Sequence, residues 1–307
     1  MPLMFSAQTL RCPATGAPLS RVGSELVTED GSRRYPVVGG VPILIAEERS
    51  LFRLADFAAP AAPSRPSLAR RIARLLPRDS ANAGTAGLVA RLRELLPANP
   101  RILVVGGGTL GAGMGPLLDD EATQVTETDV WIGPRTMLVC DGHDLPFADA
   151  SFDAVVCQAV LEHVLDPARV VAEMRRVLVP DGLLYVEVPF MQQVHEGAHD
   201  FTRFTYVGLR SLLRDFDEVA AAPVCGPAMA LAWSVRYLAT TVFGRAGRLI
   251  TLLTFWLPRL DRFLIDRPGA MDAASGIGVL GRRREQPLDD AAVVAAYRGL
   301  NASPSRW

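Results

Sequence analysis

Between residues 101 and 283 the chain alternates short apolar runs with amphipathic stretches. Residues 102–105, 136–140, 152–157 and 183–188 are continuous and rich in Val, Ile and Leu, as strands buried on both faces should be. Another strand ends on Val125-Thr126-Glu127-Thr128-Asp129, and residues 216–222 and 274–281 read as a sixth and a seventh. Apolar positions three and four apart predict a helix over residues 167–178. Strands alternating with helices imply an α/β fold around a parallel sheet.

The flanks differ. Residues 1–46 read as a small β module of short strands and turns, punctuated at Cys12-Pro13, Gly31-Ser32 and Gly39-Gly40. Residues 47–99 form a proline-divided linker with helices at 67–76 and 85–96, and its Arg70, Arg71, Arg74 and Arg78 read as a solvated face. Residues 100–285 hold the main domain, and 286–307 a C-terminal tail. Inside that domain, residues 223–273 are an insertion before the last strand, with apolar stretches at 228–235, 237–243 and 249–257 separated by arginines. None provides the ~20 consecutive apolar residues of a spanning helix. Interfacial helices are expected, against a self-contained cap or a dimer contact.

Composition narrows the choice. The hydrophobic fraction of 49% is ample for a core, and 32 basic against 33 acidic residues leave a net charge of −1. That balance gives no chain-wide field for nucleic acid. Every basic residue is arginine, which fits a general compositional bias. Four scattered cysteines suggest no disulfide framework, and residues 1–11 show no secretory signal, so the expected localisation is cytoplasmic. The insertion would bring the protein to the inner face of the membrane.

Gly106-Gly107-Gly108-Thr109-Leu110-Gly111 follows a strand as G-x-G-x-x-G, a loop in which backbone can approach a cofactor. Asp129 closes the next strand, where a carboxylate can accept from ribose hydroxyls. A turn or helix-cap aspartate is its plainer reading, and an Asx-turn acid is that of Asp141. These features do not separate a dinucleotide from S-adenosylmethionine.

Downstream residues do. Asp141-Gly142-His143-Asp144-Leu145-Pro146-Phe147, then Ser151-Phe152-Asp153, Val160-Leu161-Glu162-His163-Val164 and Leu178-Val179-Pro180-Asp181-Gly182, together resemble the class I S-adenosylmethionine-dependent methyltransferases of the small-molecule type. The resemblance implies a Rossmann-like seven-stranded sheet, with S-adenosylmethionine as cofactor. It assigns Gly106 and Gly108 to the methionine part, Asp129 to the ribose and Asp141 to the adenine, with Gly111 and Gly142 also expected in the cofactor site. Gln158 and His163, at and beyond the end of the fourth strand, complete the expected set. Val104 departs from the family, where an acid is common, so another carboxylate or a carbonyl must meet the methionine amino group. The N-terminal module resembles the zinc-ribbon-like domains that accompany methyltransferases, notably over residues 35–44. Thr15, Thr28 and Gly31 stand where further cysteines would be, so no metal is expected there.

Past the fifth strand, Val194-His195-Glu196-Gly197-Ala198-His199-Asp200-Phe201-Thr202-Arg203 gathers histidines, acids and an arginine at the ligand edge of the sheet. The alternative is a capping loop with an Asp200–Arg203 ion pair. The stretch resembles methyltransferases of bacterial polysaccharide and glycolipid assembly. His195 is expected as the general base, Asp200 or Glu196 as the group orienting it, and His199 as the second choice. The predicted function is O-methylation of a glycan, glycolipid or other lipid-linked acceptor, with peripheral membrane contact and no nucleic acid. Oligomeric state and the choice among oxygen, nitrogen and carbon stay open. The rivals are a non-catalytic cofactor-binding scaffold of a membrane complex and a nicotinamide oxidoreductase.

Overall fold

The computed structural model describes residues 10–57, 84–244, 246–247 and 251–300. The expected helix at 67–76 and its arginine run lie outside them.

Strands β1 (Leu19–Val22), β2 (Glu25–Thr28), β3 (Arg34–Val38) and β4 (Val41–Leu44) form an antiparallel meander. Then come α1 (Thr85–Leu95), β5 (Arg101–Val105), α2 (Gly115–Leu118), β6 (Gln124–Asp129), β7 (Leu138–Cys140) and β8 (Phe152–Gln158). Next are α3 (Pro167–Val177), β9 (Leu178–Pro189), α4 (Tyr206–Leu212) and β10 (Phe216–Cys225). The insertion carries α5 (Pro227–Phe243), α6 (Thr251–Thr254) and α7 (Asp261–Leu264), before β11 (Gly276–Arg283) and α8 (Asp290–Ala295).

Among the described residues all the strands join one sheet, ordered β1-β2-β3-β4-β7-β6-β5-β8-β9-β11-β10. It has eleven strands where the sequence predicts seven. The seven are β5 to β11, and the difference comes from the N-terminal meander. Its last strand, β4, pairs in parallel with the open edge of β7 through Ile43 against Val139 and Leu44 against Cys140. Arg11 N–H also donates to Pro146 O at 2.9 Å, so the meander is held at two places. Cys12 is buried with Sγ 3.1 Å from the Tyr35 hydroxyl, as part of the core.

The central strands are buried on both sides because alternate residues feed different cores. Leu103 and Val105 pack with Val170, Val171 and Met174 of α3, whereas Ile102 and Val104 pack with Leu88, Val89 and Leu92 of α1. Helix α3 starts on Asp166, which accepts from Arg169 N–H at 3.0 Å, with Pro167 at its first position. Strand β11 runs antiparallel to both β9 and β10. The insertion between β10 and β11 therefore sits at the carboxyl edge of the sheet, over the ends of β5, β8 and β9. There the buried Asp261 caps α5, accepting from Gly226, Ala228 and Met229 N–H at 3.0, 2.9 and 3.0 Å.

Candidate active site

Two cavities open at the carboxyl ends of the parallel strands. One, of about 1020 Å³, runs from Gly106 past Asp129 and Asp141 to residues 48–52 of the N-terminal segment. The other, of about 590 Å³, lies between β9 and the insertion, under Met229, Trp233 and Arg236 of α5 and beside Phe255 and Pro258. Val105, Gly106, Thr109, Gln158, Ala159 and His195 line both, so the cavities share a seam.

The glycine loop leaves β5 with Gly106 at φ +78°, and a Cβ there would lie 2.3 Å from Val160 Cγ2. Only glycine meets both conditions. Gly108 lines neither cavity. Its N–H donates to Asp129 Oδ2 at 2.8 Å, and Val130 N–H donates to Oδ1 at 2.7 Å. Burial pushes the Asp129 carboxyl up, and these amides oppose the shift. Gly111 lies on the wall of the smaller cavity, where a Cβ would sit 1.8 Å from Gln158 Oε1.

Asp141 is buried at the end of β7. It accepts from Ser50 Oγ at 2.5 Å, from His143 N–H at 3.0 Å and pairs with His143 Nδ1 at 2.6 Å. Burial alone would raise its carboxyl, but the bonds from His143 and Ser50 hold it below the usual range. Ser50 was not visible as a site residue, because nothing in residues 47–99 marks the place where the chain crosses the cavity. Gly142 lines the cavity beside Asp141.

Glu187 of β9 is a second residue the sequence does not reveal. Buried beneath the seam, it accepts from Thr85 Oγ1 at 2.6 Å, from Gln158 Nε2 at 2.6 Å and from the Tyr185 hydroxyl. Burial pushes its carboxyl up. Gln158 Nε2 also donates to Ala112 O at 3.1 Å, while its Oε1 is buried without a hydrogen-bond partner.

All four histidines of the chain, His143, His163, His195 and His199, line the larger cavity. His163 Nδ1 lies 2.7 Å from His199 O. Because a carbonyl only accepts, Nδ1 carries the proton and Nε2 keeps a lone pair. The His163 and His195 rings meet edge to face, centroids 5.0 Å apart. The side chain of Glu162, 1% exposed, lies beside them, with Oε1 3.6 Å from His163 Nε2. Both its oxygens are buried without a hydrogen-bond partner, and burial pushes the carboxyl up to about 7.

The expected catalytic set divides here. His195 stands on the seam. Asp200 does not reach the cavities, since its carboxylate is buried, accepts twice from the Arg203 guanidinium and accepts from His195 N–H at 2.8 Å. The guanidinium holds it far below the usual carboxylate range. Asp200 is therefore a positioning residue that fixes the backbone of His195, and its ion pair with Arg203 is the one the plainer reading named. Its Oδ2 is 3.4 Å from His195 Nδ1. His199 is exposed, with its ring against Phe201 and its carbonyl spent on His163.

Comparison with known proteins gives the domain a family. The model of a family described as "Methyltransferase domain" matches residues 111–186, from the glycine loop through β9. Residues 111–186 thus carry a methyltransferase domain, whose cofactor is S-adenosylmethionine. A bovine (Bos taurus) protein named "Probable tRNA methyltransferase 9B" is 42% identical over 60 residues, 19% of this chain and 13% of that protein. A UPF0434 protein of Vesicomyosocius okutanii is 49% identical over 39 residues, 13% of this chain and 66% of that protein. A solved complex of the Haloferax volcanii Trm112 methyltransferase activator with a methyltransferase is 19% identical at a TM-score of 0.45, covering 70% of this chain and 94% of that one.

The methyltransferase domain's residues fit its cofactor. The glycine loop brings backbone to the cavity wall at Gly106, where a Cβ would collide with Val160, Asp129 offers a half-buried carboxylate, and Gln158 Oε1 is an unpaired acceptor between the cavities.

Proposed function

We propose that the chain methylates an oxygen of a hydrophobic acceptor, a glycolipid or lipid-linked glycan, at a membrane face. The observation that carries the reading is the seam. One cavity holds the residues suited to S-adenosylmethionine, the other is roofed by an apolar insertion, and His195 lines both. Asp129 would hold the ribose, Asp141 the adenine, and Gly106 with Gln158 the methionine part. When bound, the cofactor supplies a methyl group on a positively charged sulfur. What the chain must add is alignment of the acceptor oxygen and disposal of its proton. His195 is assigned to that oxygen.

The acceptor class rests on the insertion. Helix α5 is tied to the His195 loop, since Gln193 Nε2 donates to Ser234 Oγ at 3.1 Å and the Tyr237 hydroxyl donates to Val194 O. Its other face is apolar and exposed at Leu231, Leu238, Val242 and Phe243, continued by Leu253, Phe255, Trp256 and Phe263. Arg236, Arg259 and Arg262 sit over the rings of Trp233, Phe255 and Phe263 at 5.3, 5.1 and 4.5 Å. Exposed apolar surface flanked by arginines suits a membrane interface with anionic headgroups. Among the described residues no helix is long and apolar enough to cross a membrane. Trp233 of α5 is half-buried and lines the smaller cavity.

Transfer of labelled methyl from S-adenosylmethionine into lipid, polysaccharide and tRNA fractions tests the reading. Label in the lipid fraction supports it. Label confined to tRNA replaces the acceptor class.

A further inference from the structure

We infer that Glu162, His163 and His195 form a binding site for a divalent transition-metal cation at the seam between the cavities. One ligand atom from each lies within 4.8 Å of the others, and His163 Nε2 is 3.6 Å from Glu162 Oε1. Bonds of about 2.0–2.2 Å to one ion place neighbouring ligand atoms about 3–4 Å apart, so small side-chain rotations complete the set.

A second observation points to a ligand independently. The Glu162 carboxylate is sealed from solvent, yet neither oxygen has a hydrogen-bond partner. Burial without partners disfavours the anion, which a bound cation at this place would compensate. Arg203, whose charge reaches Glu162, is committed to Asp200 and does not bond it. His163 is also prepared as a ligand. Its Nδ1–H is spent on His199 O, the backbone anchor that metal-binding imidazoles commonly use, and this leaves the Nε2 lone pair free. Phe201 N–H donates to Glu162 O at 2.8 Å, so the loop bearing His195 is fastened to the turn bearing the other two residues.

Two imidazoles and a carboxylate suit zinc, cobalt or manganese better than magnesium or calcium, which prefer all-oxygen shells. Three protein ligands leave an open position, the pattern of a catalytic rather than a structural ion. This part rests on the proposed acceptor. A hydroxyl in that position would be polarised by the cation, and its O–H bond would break with the electron pair kept on oxygen and the proton passing to bulk water. His195 then meets the acceptor through the ion and not as a free base.

The test is titration of tag-free, chelator-treated full chain with Co²⁺, read by its visible d–d absorption, with and without S-adenosylhomocysteine. One equivalent should bind, Zn²⁺ should displace it, and Glu162→Gln and His163→Ala should each weaken binding at least tenfold. An unchanged far-ultraviolet circular dichroism spectrum and thermal melting profile show that each variant is folded. No cobalt spectrum from wild-type chain that binds S-adenosylhomocysteine overturns the site, and leaves Glu162 as a protonated donor to His163. Unchanged cobalt affinity in both variants overturns the ligand assignment. Neither result depends on methyl transfer, so failure of the acceptor reading remains distinguishable.

Discussion

The Ser50 hydroxyl donates to Asp141 at 2.5 Å across 91 residues of chain, joining the segment behind the N-terminal meander to the wall of the cofactor cavity. Leu51 and Phe52 line the same wall. The meander is thus bound to the catalytic sheet by a strand pairing and by a contact inside the site.

If Asp141 meets the adenine amino group, Ser50 sets the direction in which it does so. Ser50→Ala should weaken S-adenosylhomocysteine binding by about 1 kcal/mol, roughly fivefold, the net value of one hydrogen bond. S-inosylhomocysteine, which lacks that amino group, should be insensitive to the change. Calorimetry with both ligands separates this effect from a general loosening of the fold, which would weaken them equally.

Asp261 caps α5 through three backbone amides in a buried setting. Asp261→Ala leaves those amides unpaired and should lower stability by about 2 kcal/mol. Chemical denaturation measures this directly. A Cβ at Gly226 would approach Asp261 Oδ1 to 2.5 Å, so Gly226→Ala should also destabilise, and the double variant should cost less than the sum of the two.

Membrane contact is tested by placing negative charge on the exposed apolar face. Changing Leu238, Phe243, Leu253 and Phe263 to glutamate removes apolar side chains worth about 1.5–3 kcal/mol each when buried in lipid. Flotation with anionic liposomes should be abolished while S-adenosylhomocysteine affinity stays unchanged. Undiminished flotation would assign the face to a partner or a second copy instead.

Much of the catalytic sheet was legible because its signals are local. The run at 102–105 is apolar without a break since both faces of β5 are covered, and Gly106 and Asp129 follow directly from the ends of β5 and β6. What escaped depends on distant pairing. Strands β4 and β7 share two residue pairs, too few to leave a pattern, so the meander reads as a separate module. Glu162 and His163 stand in a recognisable motif, but their proximity to His195 depends on how the loop after β9 folds back. Asp200 read as a group orienting the His195 ring, because sequence shows its neighbours and not that Arg203 already occupies both its oxygens.

The most direct test of the central claim is calorimetric titration of the purified chain with S-adenosylhomocysteine and, separately, with NAD. One S-adenosylhomocysteine site per chain and no NAD binding are expected. Asp129→Ala should weaken that site by about 1.5–3 kcal/mol through loss of a charge-assisted hydrogen bond to ribose. Binding of NAD, or an Asp129→Ala chain with wild-type affinity for S-adenosylhomocysteine, would contradict the central claim.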